Sequence, residues 1–578
     1  MENAAIARIL SEMADICEIK GENPFRIRAL RNAALAIETT PHDVEVLARA
    51  EDAAGRLREI PGIGAGIAAR IVEIARTGDT EEHRALLAEF PPTLLELLKL
   101  DGVGPKKVRL FYDALAVRTL DDLERAAREG RVRSLPKMGE KSEEKILKSI
   151  AEQKARAGRF LLSAAEEAVE RLAAMLRAVP GVGRVEAAGS FRRRRETVGD
   201  VDLLVSCAEP AAVTARFAGA GVVIGSGETK TSIRLSSGLQ ADLRVVPEES
   251  FGAALLYFTG SKAHNIAIRG MAQRRGLTIN EYGVFKLAAD GSAGARVGGA
   301  TEEEVYATIG LPWIPPELRE NRGEIEAAAH LPRLVEPGDL RGDVHMHTST
   351  TDGSATIEEM ALAAAARGHG YCAITDHSKA LAFTNGLDEA RLAAHAAAIR
   401  EVGRKLRRKI RVLAGIEVDI LADGALDLAP EALAALDVVV ASVHSKMDLG
   451  REEMTARVVR AIESGLVDVI GHPTGRILLR REPYALDMER VMRAAKAHGV
   501  ALEVSAYPDR LDLNDVHCRL AKELGVKLVI DTDSHAPAHL ALQRYGVDTA
   551  RRGWLEKADV LNTRECDDFL AALHAGHR

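Results

Sequence analysis

The segment Gly189-Ser-Phe-Arg-Arg-Arg-Arg-Glu-Thr-Val-Gly-Asp-Val-Asp202 ends on two aspartates one residue apart. The run Val201-Asp-Leu-Leu-Val205 reads as a β-strand, on which Asp200 and Asp202 project from the same side. Like charges that close are costly unless divalent cations neutralise them. A third acid, Asp242, falls inside a second strand-like run, Leu239-Gln-Ala-Asp-Leu-Arg-Val-Val246. Three such carboxylates can hold two Mg²⁺ or Mn²⁺ ions, which stabilise the attacking and leaving oxygens of an in-line phosphoryl transfer. Upstream, Gly189 and Ser190 offer a turn and a hydroxyl, and Arg193 offers a guanidinium for departing phosphates. For Arg192, Arg194 and Arg195 a solvated basic face is the alternative reading.

A second constellation lies further along the chain. His345 and His347 in Asp343-Val-His-Met-His347 share one face of a strand. Asp352, His377, Glu417, His444, His472, Asp533 and His535 follow. One histidine at a strand end is ordinarily a structural hydrogen-bonder. Imidazoles and carboxylates recurring at the ends of successive predicted strands instead predict two or three bound metals, with zinc, manganese and iron all suited to the donors. Asp376 and Glu503 are expected behind these ligands, and Arg476 and Lys446 are candidates to hold a substrate phosphate.

A third pattern is Ile60-Pro-Gly-Ile-Gly-Ala-Gly-Ile67, repeated as Leu100-Asp-Gly-Val-Gly-Pro-Lys-Lys107 and more weakly as Leu135-Pro-Lys-Met-Gly-Glu-Lys141. Glycines between helical stretches permit tight turns and leave backbone N–H groups at a helix start free for a phosphate. Such contacts position DNA without reading its sequence. Candidate contacts are Gly62, Gly64, Gly66, Arg70, Gly102, Gly104 and Lys106.

The elements needed to position these groups follow from the texture of the chain. At 578 residues it exceeds a single core. Residues 1–150 read as short amphipathic helices, and strand-length apolar runs begin near residue 185. From Asp343 onward short apolar runs alternate with Ala-rich helices, the rhythm of a parallel β/α barrel, whose functional side chains sit at strand carboxyl ends. A Pro- and Glu-rich stretch beginning at Leu311 reads as a linker. The net charge of −7 settles nothing, because metal sites require acids and a basic face can coexist with them. No apolar run is long enough to span a membrane, no secretory signal opens the sequence, and the five cysteines show no CxxC spacing. A cytoplasmic, nucleoid-associated location is expected, with no membrane contact.

The segment Tyr257-Phe-Thr-Gly-Ser-Lys-Ala-His-Asn265, with Arg269 and Thr278-Ile-Asn-Glu-Tyr282, narrows the class. With the hairpins and the paired aspartates in the same order, residues 1–310 closely resemble the family X DNA polymerases. That resemblance implies Asp200, Asp202 and Asp242 as metal carboxylates, with Asp242 activating a primer 3′-hydroxyl. It implies Gly189, Ser190, Arg193 and Gly199 at the triphosphate. Tyr257, Phe258 and Gly260 would line the sugar pocket, Asn265 would touch the incoming base, and Arg269 would reach the template minor groove. In lyase-active relatives a lysine forms a Schiff base where this chain has Arg70, and a basic residue is common where it has Gly66. A guanidinium is no Schiff-base nucleophile, so deoxyribose-phosphate lyase activity is not expected. From Arg341 onward the chain resembles the PHP (polymerase and histidinol phosphatase) domain, which implies His345, His347, Asp352, His377, Glu417, His444, His472, Asp533 and His535 as ligands.

The expected fold is multidomain α/β. Helix-hairpin-helix regions occupy residues 1–88 and 89–155 (fingers-type), with an α+β nucleotidyltransferase palm at 156–255 and a thumb at 256–318. A linker at 319–340 leads to a distorted β/α barrel at 341–578. The expected activity is short gap filling on gapped or primer–template DNA with dNTPs, joined to 3′–5′ exonuclease or 3′-end phosphoesterase action, with abasic-site cleavage ranked after it. A metabolite phosphatase has no use for the hairpins or the YFTGS segment. A DNA-end binding factor without chemistry has no use for complete acid and ligand sets.

Overall fold

The computed structural model describes residues 3–39, 44–50, 52–60, 62–100, 102–156, 158–288, 290, 292–381 and 384–575. Pro61 and Asp101 of the two hairpin motifs lie outside the described residues. The chain divides into two compact units, Met1–Ala157 and Gly158–Arg578.

The first unit is helical, and its apolar residues form one core that runs from Ile6 to Ile150. The three hairpin copies share one backbone design. Gly62, Gly102 and Lys137 hold the matching position at φ of 92°, 73° and 60°. One residue later, the N–H groups of Ile63, Val103 and Met138 donate to the carbonyls of Ile60, Leu100 and Leu135 at 3.1, 3.0 and 3.1 Å. Glycine adopts this left-handed conformation without strain, which the lysine of the weakest copy does not. The next glycine, Gly64 or Gly104, caps helix Ala65–Thr77 or Pro105–Leu115 without any side-chain cap. The predicted boundary at 155/156 falls inside helix Glu140–Arg156.

In the second unit, β1 (Phe160–Leu161) pairs with β3 (Thr197–Val198) beside the palm sheet. That sheet has the order β2-β4-β7-β6-β5. Its strands are β2 (Val182–Ala187), β4 (Asp200–Cys207), β5 (Val222–Ser226), β6 (Lys230–Arg234) and β7 (Gln240–Val246). Strands β4 and β7 run parallel with Asp202 directly opposite Asp242. Val201, Leu203 and Val205 alternate with the acids and enter the palm core with Leu172 and Leu176 of helix Leu162–Arg177. The pleat therefore sends the apolar residues inward and the acids outward.

The thumb begins within helix Phe251–Thr259, so the predicted division at 255/256 cuts a continuous helix. Helix Lys262–Arg274 leads into antiparallel β8 (Leu277–Asn280), β9 (Gly283–Leu287) and β10 (Ala293–Gly298).

The stretch 319–340, expected as a linker, is instead built into the fold. Arg319 is fully buried, its guanidinium forked onto Glu302 at 2.6 and 3.0 Å. Glu324 is fully buried against His264 at 2.6 Å. Leu334 joins the thumb core with Trp554, while Val335 enters the barrel core and donates to the Leu555 carbonyl at 2.9 Å. The segment is a strap that both domains grip.

The barrel contains β11 (Gly342–Asp343), β12 (Tyr371–Ile374), β13 (Arg411–Asp419), β14 (Val438–Ser442), β15 (Val469–Ile470), β16 (Ala501–Ser505) and β17 (Leu528–Asp531). All pair in parallel and in sequence order. A bridge between Met346 and Ser534 brings the first and last strand extensions together, so the barrel is nearly closed. Asn562 stitches the same seam, donating to the carbonyls of Gly342 and Ile530 at 3.0 and 2.8 Å. Tyr371, Leu413, Val440 and Val529 fill one face of the strands with Phe569, and Cys372, Val412, Val439 and Leu528 pack on the other. Both faces are covered, which is why these strands read as continuous apolar runs.

Candidate functional site

Two candidate centres lie in the second unit. In the palm, Asp200 and Asp202 rise from one face of β4, with Asp242 beside them on β7. Asp242 accepts hydrogen bonds from the Ser232 hydroxyl and, at 3.0 Å, from the Gln240 amide. Burial, reinforced by the charges of Asp200 and Asp242, raises the Asp202 carboxyl to about 7. Asp200 is raised by burial and by Asp242. This mutual repulsion is what divalent cations relieve. Arg244, two residues beyond Asp242, lowers Asp202 in part and lies over the Phe258 ring at 5.2 Å. The sequence reading missed it, although strand alternation alone places it on the face of Asp242.

The Gly189–Arg192 turn packs tightly against this group. A Cβ on Gly189 would stand 2.3 Å from an Asp202 carboxylate oxygen, and φ there is +62°, so this position admits only glycine. Ser190 and Gly199 are half-buried at the two ends of the loop. Arg193 turns its Nε to Glu320 at 3.1 Å and its Nη1 to the Thr259 carbonyl. Arg192, for which a solvated face was the alternative reading, forks onto Glu302 at 2.7 and 2.9 Å. Tyr257 and Phe258 meet edge to face at 5.2 Å. Asn265 donates to the Tyr257 carbonyl at 2.7 Å, while its buried Oδ1 has no hydrogen-bond partner. Arg269 is exposed on the same helix.

The barrel centre gathers all nine predicted ligands where the strands end. Glu417 on β13 is its hub. Its Oε1 lies 3.5, 3.4 and 3.0 Å from Nε2 of His345, His444 and His472. Its Oε2 lies 3.6 Å from His347 Nε2 and 2.8 Å from His377 Nδ1. Asp533 lies 3.1 Å from His347, and Asp352 reaches His377 and His535 at 3.4 Å each. Three groups can each converge on one cation: His347, Asp352, His377 and His535; His345, His347 and Asp533; and His377, Glu417 and His444.

Burial lowers the basicity of every imidazole here, and the carboxylates decide where that is overcome. Glu503 and Glu417 raise His345 well above its ordinary value, Glu417 lifts His377 to about 10, and it lifts His444 to about 9. His347, crowded by His535 and His377, falls to about 4, and His472, facing Arg510, falls to about 3. The metal fit rests on orphaned atoms. His345 Nε2, both ring nitrogens of His347, His377 Nδ1, Glu417 Oε2 and His472 Nδ1 are buried and, despite close approaches among them and to Asp533, make no well-aligned hydrogen bond. Converging, partnerless nitrogen and oxygen donors are the donor set of a metal cluster.

Behind the ligands, Glu503 meets His345 Nδ1 at 2.7 Å. Asp376 accepts from the Thr348 N–H and hydroxyl at 2.8 and 2.7 Å and meets His395 Nε2 at 2.8 Å. His395 and Asp419, which lies 3.3 Å from His444 Nδ1, were not anticipated. Arg476 corrects the sequence reading: it is buried and forked onto Glu196 of the palm at 3.3 and 2.7 Å, committed to a domain contact rather than a phosphate. Lys446 is exposed. The cation that does face the centre is Arg510, 3.6 Å from Asp533. Its signal is its place just beyond β16, in the Tyr507-Pro-Asp-Arg510 turn.

In the helical unit, Gly62, Gly64, Gly66, Gly102, Gly104 and Lys106 are exposed. Arg70 is partly engaged, with Nε on Glu82 at 2.6 Å and Nη1 on the Gly66 carbonyl at 3.0 Å.

Comparison with known proteins decides the lineage. A chain named DNA polymerase/3′-5′ exonuclease PolX from Bacillus subtilis (strain 168) is 38% identical over 578 residues, covering 99% of both chains. This chain belongs to the family X DNA polymerases that carry a C-terminal PHP domain. Family models match in the same layout: a helix-hairpin-helix domain at 1–80, a SAM-like helix-hairpin-helix tandem at 94–152, the DNA polymerase beta thumb at 254–320 and the PHP domain at 343–506. DNA polymerase lambda of Rattus norvegicus is 25% identical over 45% of this family X chain and 48% of its own. A probable phosphatase of Thermoanaerobacter sp. (strain X514) is 29% identical over 38% of this chain and 89% of its own. No described helix of the family X chain is long and apolar enough to cross a membrane.

Proposed function

We propose that this chain fills short gaps in damaged DNA at the palm and shortens 3′ ends at the barrel. The observation that carries the first half is the register of Asp202 against Asp242, with Asp200 on the same face and Gly189 pressed against the Asp202 carboxylate. In this reading the three aspartates would hold two Mg²⁺ or Mn²⁺ ions, which would supply positive charge to the developing oxyanions. Asp242 takes the proton of the primer 3′-hydroxyl. Gly189, Ser190, Arg193 and Gly199 bind the triphosphate, and Tyr257, Phe258 and Gly260 bound the deoxyribose. The unpartnered Asn265 Oδ1 is an acceptor for the incoming base. Arg269 meets the template strand, and the exposed turns at Gly62–Gly66 and Gly102–Lys106 hold DNA phosphates by backbone N–H groups.

At the barrel, the nine candidate ligands would hold two or three Mn²⁺ or Zn²⁺ ions, whose charge would polarise a phosphodiester and ease deprotonation of an attacking water. Arg510 neutralises the non-bridging oxygens of that phosphate, and Glu503 fixes the His345 ring through Nδ1. We rank 3′–5′ exonuclease first and abasic-site cleavage and 3′-phosphate removal after it.

The test is a gel with labelled one-nucleotide-gapped DNA, Mg²⁺ or Mn²⁺, with and without dNTPs. Asp200→Ala/Asp202→Ala should abolish extension and leave 3′ shortening, and His345→Ala/His347→Ala should do the reverse. A native protein that neither extends nor shortens the primer refutes the proposal.

A further inference from the structure

The loop that runs from the Gly189–Arg192 turn back to β3 is held along its length by the barrel domain. Arg552, at the end of helix Gln543–Arg552, is only 6% exposed and donates from Nη1 to the Arg193 carbonyl at 2.6 Å. The same nitrogen lies 3.1 Å from Glu320 of the strap, and Nη2 reaches Asp515 at 2.7 Å. Glu320 in turn accepts from Arg193 Nε at 3.1 Å. Arg193 Nη1 bonds the Thr259 carbonyl, and a Cβ on the next residue, Gly260, would stand 3.2 Å from that nitrogen. One guanidinium on the barrel thus fixes both the main chain and, through Glu320, the side chain of the residue that joins the triphosphate loop to the sugar-pocket turn. The far end of the loop is tied as well, Glu196 being forked by Arg476. The contact is not peripheral: Tyr545 of the Arg552 helix and Leu511 belong to the palm's own apolar core.

We propose that Arg552, a barrel residue outside the barrel's own candidate metal ligands, is a positioning residue for nucleotide binding at the palm. A planar fork with several donors holds a carbonyl and two carboxylates in one geometry, which an ammonium cannot. Without it, Arg193 loses its main-chain anchor, and Glu320 and Asp515 are left with one fewer cation. The loop then samples other positions, and the loss falls on dNTP affinity rather than on the chemical step. This rests on the gap-filling reading above.

The experiment measures KM and kcat for the templated dNTP on one-nucleotide-gapped DNA, and 3′ shortening on the same preparations. The proteins are the full-length wild type, Arg552→Gln, Arg552→Lys and Arg551→Ala. Arg551 lies on the same helix but bonds the Glu317 carboxylate and the Val335 carbonyl rather than any residue of the 189–196 loop, although the Glu317 carbonyl also accepts from Arg552 at 3.5 Å. Arg552→Gln should raise KM about tenfold while kcat and 3′ shortening stay within about twofold of wild type. Arg552→Lys, which keeps the charge and loses the fork, should fall between the two, and Arg551→Ala should leave KM unchanged. If Arg552→Gln does not fold, Arg552→Lys alone decides the matter by the same split. KM unmoved in the Arg552 variants overturns the inference. So does a parallel loss of both activities without a KM change, or an equal rise in Arg551→Ala. A wild type that incorporates no dNTP refutes the gap-filling reading itself, which is a separate result.

Discussion

Replacing Asp202 by Asn tests whether the palm holds its cation site at the expense of the fold. Burial first, and then Asp200 and Asp242, raise this carboxyl from 3.8 to about 7. An acid raised in the folded state destabilises it wherever the unfolded chain ionises more readily. The penalty therefore starts near the unfolded value of about 4, grows with pH, and is complete above about pH 7. At roughly 1.4 kcal/mol per tenfold, it amounts to about 4 kcal/mol at about pH 8 and about 2 kcal/mol at about pH 5. Asparagine has the same shape and no charge. Asp202→Asn should thus raise the urea-unfolding free energy of EDTA-treated protein by up to those amounts, with the larger gain at the higher pH. Mg²⁺ at about a hundred times its dissociation constant should then narrow the gap by about 2.7 kcal/mol, because only the aspartate form binds it well. A variant no more stable than wild type near pH 8, or a gain independent of pH, refutes the reasoning.

Glu503→Gln should weaken barrel metal binding about 10- to 100-fold in chelator competition, because His345 loses the carboxylate that fixes its ring; unchanged affinity would remove Glu503 from the site. Borohydride added to the protein on DNA bearing a 5′-deoxyribose phosphate should trap no covalent adduct, since Arg70 stands where a lysine would be needed; a trapped adduct at wild-type Arg70 would show that another amine serves.

The grouping of the candidate residues was legible because a metal-type donor set constrains residue type and spacing at once. Asp200 and Asp202 are fixed to one face by the period of a strand, and the nine candidate ligands of the barrel are fixed to strand ends by the parallel topology. The hairpins were legible for a related reason: a left-handed turn selects glycine, and two of the three copies obey. Lys137 marks the limit, since a lysine in that conformation carries no sequence signal of its own. Arg244 and Asp419 were within reach of the same alternation arguments, lying two residues beyond Asp242 and Glu417. His395 was not, because it approaches Asp376 from a helix whose apolar face looks like any other.

Charge pairs between distant segments account for most of what the sequence concealed. Arg476 follows His472 closely, and a cation beside a ligand invites assignment to the substrate. Its actual partner, Glu196, is 280 residues away, and nothing local distinguishes the two uses of a guanidinium. The strap shows the same blindness on a larger scale. Prolines and acids at 311–340 are the composition of an exposed connector because proline supplies no N–H and carboxylates prefer water. The second objection disappears when the carboxylates meet arginines from elsewhere in the chain. Within the stretch Glu317 takes Arg551 and Glu320 takes Arg193 and Arg552, while the stretch's own Arg319 joins Arg192 on Glu302 of the preceding helix. Burial then costs little while the pairs are complete and about 3–5 kcal/mol when one partner is removed. A segment of this composition is a linker or a keystone according to arginines that lie elsewhere in the chain, and only the fold shows which.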